Sequence, residues 1–308
     1  MKLGQMALSL VLGMWSCGLS AQVEPMGTKS YGPLVVGGED ADKRTSTYMV
    51  ALLREGLDFP GGFLCGATVV ADGWVLTAAH CLYDGECNLR KFTTLYAISG
   101  YAQLKPGLPK LNATAVRPHS GFQCMPVGEQ TAAVRSGKPI PMGNDIGLVR
   151  VAGGRLSQPA LFIPTDSAAA AVAPLIASGW GTLGNSGAPS SELQSVNLTA
   201  VAQNVCDQAW APSSLAADQL CIGAPAQSPA RGICSGDSGG PLVGTLGSNR
   251  FQAGIVSLGH LVCSNVDRPS MFTNVMVHRA WIEGVIGQGR LPVVTVGCTP
   301  ADIAAWRC

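Results

Sequence analysis

Charge is scarce in this sequence: only 13% of its 308 residues are Asp, Glu, Lys or Arg, and the net charge is +1. Without a basic stripe or an acidic field there is no electrostatic footprint for nucleic acid or a charged polymer. Histidine is scarcer, at 4 residues, and no two cysteines are spaced Cys-x-x-Cys. The ligand pattern of a zinc site is therefore missing, and neither a metal nor another cofactor is expected. The apolar stretch Met6 to Trp15 is too short for a stable membrane span. Lying between Lys2 and Gly18-Leu19-Ser20-Ala21, it reads as an export signal over residues 1–21. A lipid anchor on Cys17 is the competing reading, but Met14-Trp15-Ser16 lacks the small residues expected there. No internal repeat is evident.

Glycine and proline, by contrast, are abundant at 39 and 20 residues, in a chain that is 47% hydrophobic. That balance suits short strands joined by many turns around a large core. The length would allow two domains, although all-β folds of this size often form one continuous unit. Thr68 to Val70, Gly73 to Ala78, Ile146 to Val151 and Gly254 to Ser257 read as strands. His278 to Ile286 reads as a helix with Trp281, Ile282 and Val285 facing the core. Residues 22–34 read as a propeptide, 35–288 as the folded domain and 289–308 as a tail. The stretch between His119 and Asn144, above all 123–143, is rich in Pro, Gly, Ser and Gln and reads as a surface loop at a cleft rim. Removal of Cys17 with the signal turns 11 cysteines into an even set that fits an oxidising compartment, extracellular or periplasmic. Asn112-Ala-Thr and Asn197-Leu-Thr are glycosylation sequons.

The run Gly236-Asp237-Ser238-Gly239-Gly240-Pro241 places a serine among glycines, a setting that exposes a hydroxyl beside free backbone amides. Serine needs a base and a group to orient that base. His80 lies in Leu76-Thr77-Ala78-Ala79-His80-Cys81, and Asp145 lies in Asn144-Asp145-Ile146-Gly147-Leu148-Val149. Taken singly, each is more often a turn, a packing residue or a cap. Together, in the order His, Asp, Ser, they form a constellation for acyl transfer.

With Ser178-Gly179-Trp180-Gly181 and Ile255-Val256-Ser257-Leu258-Gly259, these strings make the chain from Val35 to about Gly287 resemble the trypsin-like serine endopeptidases. The resemblance implies an all-β fold of two packed six-stranded antiparallel barrels, with the cleft between them and a C-terminal helix. It implies Ser238 as nucleophile, His80 as base, Asp145 as orienting group and the amides of Gly236 and Ser238 as an oxyanion hole. It pairs Cys65 with Cys81, Cys206 with Cys221 and Cys234 with Cys263, leaving Cys87 with Cys124 and Cys298 with Cys308. Cutting between Leu34 and Val35 would free an amine to pair with Asp237. Leu34 departs from the Lys or Arg usual at that position. An activating protease that accepts leucine, self-cleavage, and a first cut at Lys29 followed by trimming all stay open.

At the base of the substrate pocket, where relatives selecting Lys or Arg carry an aspartate, stands Gly232. Ile233 follows it, Gly259 and Ser270 are the inferred walls, and Ser257 and Gly259 offer backbone to an extended peptide. Leu258 replaces the tryptophan common in relatives. Ile233, with Met271 near it, favours Leu, Met, Val or Ala over bulky aromatics. The expected partners are protein or peptide substrates, an activating protease and a protein inhibitor. The alternatives are a protease-fold binding or toxin-like protein with incidental activity and an esterase-type acyl transferase. His119 and His260 stand outside the motifs as surface or cleft residues.

Overall fold

The computed structural model describes residues 37–287 and Leu291, except 137, 139, 141–142, 153–155, 157–160, 166–173, 212, 214, 225–230, 247–248, 260–262 and 264–267. The expected signal, propeptide, Cys17, Lys29, Leu34, Val35, His260, Cys298 and Cys308 lie outside the described residues.

After β1 (Glu39–Asp40), six strands close the first barrel: β2 (Met49–Arg54), β3 (Phe63–Ala71), β4 (Trp74–Thr77), β5 (Leu95–Ser99), β6 (Leu111–Pro118) and β7 (Gly147–Ala152), in the order β2-β3-β4-β7-β6-β5. The second barrel comprises β8 (Leu175–Gly179), β9 (Gln194–Ala200), β10 (Gln219–Gly223), β11 (Pro241–Leu246), β12 (Asn249–Leu258) and β13 (Ser270–Asn274). Its order is β9-β10-β13-β12-β11-β8, a β8–β9 pairing closes it, and β1 adds beside β9. Every pairing between named strands is antiparallel.

The alternation of side chains along a strand explains how β2 can be apolar throughout. Val50 and Leu52 enter one core cluster with Val69, Val75, Leu95 and Val149, all from strands of the first barrel. Met49, Ala51 and Leu53 enter another with Trp180 and Val243 of the second-barrel half. Both faces of β2 are therefore covered, one inside the barrel and the other between barrels. The helix Arg279–Ile286 buries Ile282 and Ile286, with Trp281 and Val285 packed beside them, as its spacing predicts.

The expected surface loop over 123–143 instead contains the helix Val127–Ser136. Pro126 supplies the first helical carbonyl, to which Gln130 N–H donates at 2.9 Å. Glu129, Gln130, Ala132 and Ala133 follow, all good helix formers. Ala133 and Ile140 are buried with Trp210 and Leu215, which anchors the segment on the second-barrel side. Among the described residues four disulfides are present: Cys65–Cys81, Cys87–Cys124, Cys206–Cys221 and Cys234–Cys263. Asn112 and Asn197 are exposed on β6 and β9.

Candidate active site

The turn carrying Ser238 needs glycine at two places: φ is 94° at Gly236 and 78° at Gly239. A side chain on Gly239 would collide with Thr77 Oγ1 and the Gly66 carbonyl. Gly66 N–H donates to Ser238 O at 2.8 Å, and Gly239 N–H donates to Val256 O at 2.9 Å. One bond runs to each barrel, so the turn is fixed across their junction. Among the described residues, the backbone amides of Gly236 and Ser238 have no protein acceptor.

On the first-barrel side, Ala79–Leu82 form a short 3-10 turn that carries His80. Asp145 precedes β7 and is buried. Its Oδ1 accepts the backbone N–H of His80 at 2.8 Å, and its Oδ2 lies 2.7 Å from His80 Nδ1. Ser257 Oγ donates to Oδ2 at 2.6 Å, and Thr273 Oγ1 donates to the Asp145 carbonyl at 2.8 Å. Burial alone would raise the Asp145 pKa, but the His80 charge and these hydrogen bonds bring it below the usual carboxylate range. Burial would likewise lower the His80 pKa, and the charge and hydrogen bond of Asp145 overcome it, giving a net rise. Ser257 escaped the sequence reading as a partner of Asp145. The register of β12 against β13 shifts between Val256 and Leu258, and such a bulge re-aims the hydroxyl.

Asp237 is buried, and its carboxylate accepts the amides of Gly181 at 2.9 Å and Cys234 at 2.8 Å. Burial is the largest influence and pushes its carboxyl up to about 6 against the pull of those amides. The folded chain thus holds this proton more tightly than the unfolded chain, whose value is near 3.8. Stability from this group is full below about pH 4 and declines by about 3 kcal/mol as pH rises to about 6. Denaturant unfolding of the full chain at pH 4 and pH 6.5 checks this. Asp237→Asn is expected to remove that decline, and an identical pH dependence in the variant would contradict it.

A cavity of about 450 Å³ is lined by His80, Asp145, Ser238 and Gly236, together with Ile233, Ser257, Leu258 and Gly259. Ser238 and His80 both line it, without a direct hydrogen bond between them. Of the other residues expected at the pocket, Gly232 is buried and Ser270 stands behind Gly259; neither lines this cavity. A Cβ built on Gly259 would lie 3.5 Å from Ile233 Cδ1 and 3.9 Å from Ser270 Oγ, so Ile233 and Ser270 both stand next to Gly259. Met271 turns to the opposite face of β13 and packs with Cys206, Trp210 and Leu258. Alternation along β13 turns Ser270 to the other face of the strand.

The opposite rim is formed by residues the motifs did not indicate. Tyr83 and Phe122 rings lie 5.7 Å apart, and the Cys87–Cys124 bridge ties their two loops beside the cavity. Among the described residues, the cluster with metal-ligating atoms is Cys65, His80 and Cys81. Both its sulfurs are joined in a disulfide and offer no thiolate.

The trypsin family model matches residues 35–282. The chain is 29% identical to human (Homo sapiens) granzyme M, over 84% of this chain and 91% of that protein. It is 30% identical to serine protease 57 of Rattus norvegicus, over 87% of this chain and 88% of that protein. It is 27% identical to the suppressor of tumorigenicity 14 protein homolog of Bos taurus, over 82% of this chain but 28% of that longer protein.

Proposed function

The chain belongs to the trypsin family of serine endopeptidases, and on that premise we propose that it cuts peptides after apolar residues through Ser238, His80 and Asp145. One observation carries the reading: His80, held by Asp145 through two hydrogen bonds, shares a cavity with Ser238 and Gly236. Ser238 Oγ bonds to the scissile carbonyl carbon while His80 Nε2 takes its proton. Asp145 stabilises the imidazolium, and the amides of Gly236 and Ser238 receive the oxyanion. Collapse breaks the carbon–nitrogen bond and His80 returns the proton to the leaving amine. Water then attacks the acyl-enzyme by the same route and frees Ser238.

Residues 1–21 serve as the export signal and 22–34 as the propeptide of a zymogen. Cleavage before Val35 releases an amine that pairs with Asp237. The reading is supported by the burial of that carboxylate, which two amides hold without neutralising its charge. Residues 289–308 form a tail beyond the protease domain. Protein or peptide substrates, an activating protease and a protein inhibitor are the partners.

The apolar preference is supported by Gly232, which offers no carboxylate to a basic side chain, and by Ile233 beside Gly259. Ile233→Ala is expected to deepen the pocket and raise kcat/KM for Phe relative to Ala before the cut by about tenfold or more. A panel of peptides differing only at that residue measures the ratio; an unchanged ratio would place Ile233 outside the specificity site. A fluorophosphonate tests the nucleophile: its phosphorus should bond to Ser238 Oγ with loss of fluoride, and mass spectrometry should find the adduct there. Labelling elsewhere alone, in folded protein beginning at Val35, would overturn the reading.

A further inference from the structure

A second carboxylate and imidazole lie against the loop that carries Asp145. Asp218 and His278 are both buried. One oxygen, Asp218 Oδ2, accepts the backbone N–H of Asn144 at 2.6 Å and lies 2.9 Å from His278 Nε2. Asn144 has φ 58°, a left-handed conformation that most side chains avoid and that asparagine adopts more readily than others. It immediately precedes Asp145. Its carbonyl accepts Ile146 N–H at 2.8 Å, and its side chain donates to the Gly121 carbonyl at 3.3 Å. The His119 ring stands 5.0 Å from His278 and 5.1 Å from Trp281, closing the far side.

Burying an ionisable pair costs desolvation that an apolar pair of the same volume would not incur. What the pair supplies here is an acceptor aimed at the amide of the left-handed residue next to Asp145. We propose that Asp218 and His278 are positioning residues, which hold Asn144 in its left-handed turn so that Asp145 stays aligned with His80 Nδ1. This rests on the reading of His80, Asp145 and Ser238 as the catalytic set. Among the described residues, Asp218 and His119 are the titratable groups that face His278. Asp145 is the charged group against His80, with Asp84 and Arg90 farther along the cavity wall.

Loss of Asp218 would free the Asn144 amide, let the turn relax and draw Asp145 away from Nδ1. Ile233 and Gly259 are untouched, so substrate binding persists while turnover falls. His80 would lose part of the stabilisation of its protonated form, moving the acid limb of kcat/KM to lower pH. A role in packing alone would not move that limb.

The experiment compares Asp218→Ala, Asp218→Asn and His278→Phe with wild type and Ser238→Ala, all in protein beginning at Val35. Asp218→Ala is expected to lower kcat by about ten- to a hundredfold with KM nearly unchanged and the acid limb displaced downward. Asp218→Asn keeps an acceptor for the Asn144 amide and should restore most of the rate. Where Asp218→Ala does not fold, His278→Phe carries the test. It retains ring volume and should show the same signature at smaller size. Wild-type kcat and acid limb in the folded Ala or Phe variant, or a lost rate with the limb in place, would overturn the inference. An active Ser238→Ala enzyme would instead overturn the catalytic reading beneath it.

Discussion

Ser238→Ala is expected to lower kcat for peptide hydrolysis by about a millionfold while leaving the fold intact, the size of loss seen when the serine of a comparable triad is removed. Ser238 is partly exposed, and the turn is held through its backbone carbonyl and the Gly239 amide, neither of which the substitution alters. KM should change little, because Ile233, Leu258 and Gly259 still line the cavity. The residual rate would come from the amides of Gly236 and residue 238 and from substrate orientation. Steady-state kinetics, with enzyme concentration set by absorbance in both proteins, measures both quantities. A fall of tenfold or less would mean that Ser238 is not the nucleophile.

Asp145→Asn is expected to lower kcat by about ten-thousandfold at neutral pH. Asp145 receives three hydrogen bonds at two oxygens: the His80 amide at Oδ1, and His80 Nδ1 and Ser257 Oγ at Oδ2. An asparagine has only one acceptor oxygen, so its NH2 must face one of those donors. If it faces Nδ1, the imidazole is forced into the tautomer with its proton on Nε2, where the base must be unprotonated to accept from Ser238. The acid limb of kcat/KM should also move downward, because the carboxylate is what raises the proton affinity of His80. A pH–rate profile that keeps its limb would show that Asp145 does not set the histidine's protonation.

The legible parts of this site share one property: their local sequence is constrained by backbone geometry. Gly236 and Gly239 have positive φ, and Gly179 and Gly181 lie so close to Asp237 that a side chain would strike its carboxylate. Such constraints leave strings in the sequence, and those strings led to Ser238, His80 and Asp145. The strands within β3, β4, β7 and β12 were legible for a related reason, since apolar residues in barrels recur between turn residues.

What the sequence concealed depends on contacts between distant segments. The helix Val127–Ser136 has weak amphipathicity of its own and is anchored by Ala133 against a cluster drawn from Trp210, Leu215 and Met271. Met271 and Ser270 are neighbours in sequence yet face opposite sides of β13, which only the register decides. Ser257 looked like backbone for a peptide, and its hydroxyl finds Asp145 because of a bulge in β12. Asp218 and His278, 60 positions apart, meet at Asn144 only in the folded chain.

The most direct test is hydrolysis of a peptide panel, varied at the residue before the cut, by protein beginning at Val35. The account predicts turnover after Leu, Met, Val or Ala, little after Lys or Arg, and none in Ser238→Ala. Turnover confined to Lys or Arg, or none by folded protein with the Val35 amine free, would contradict it.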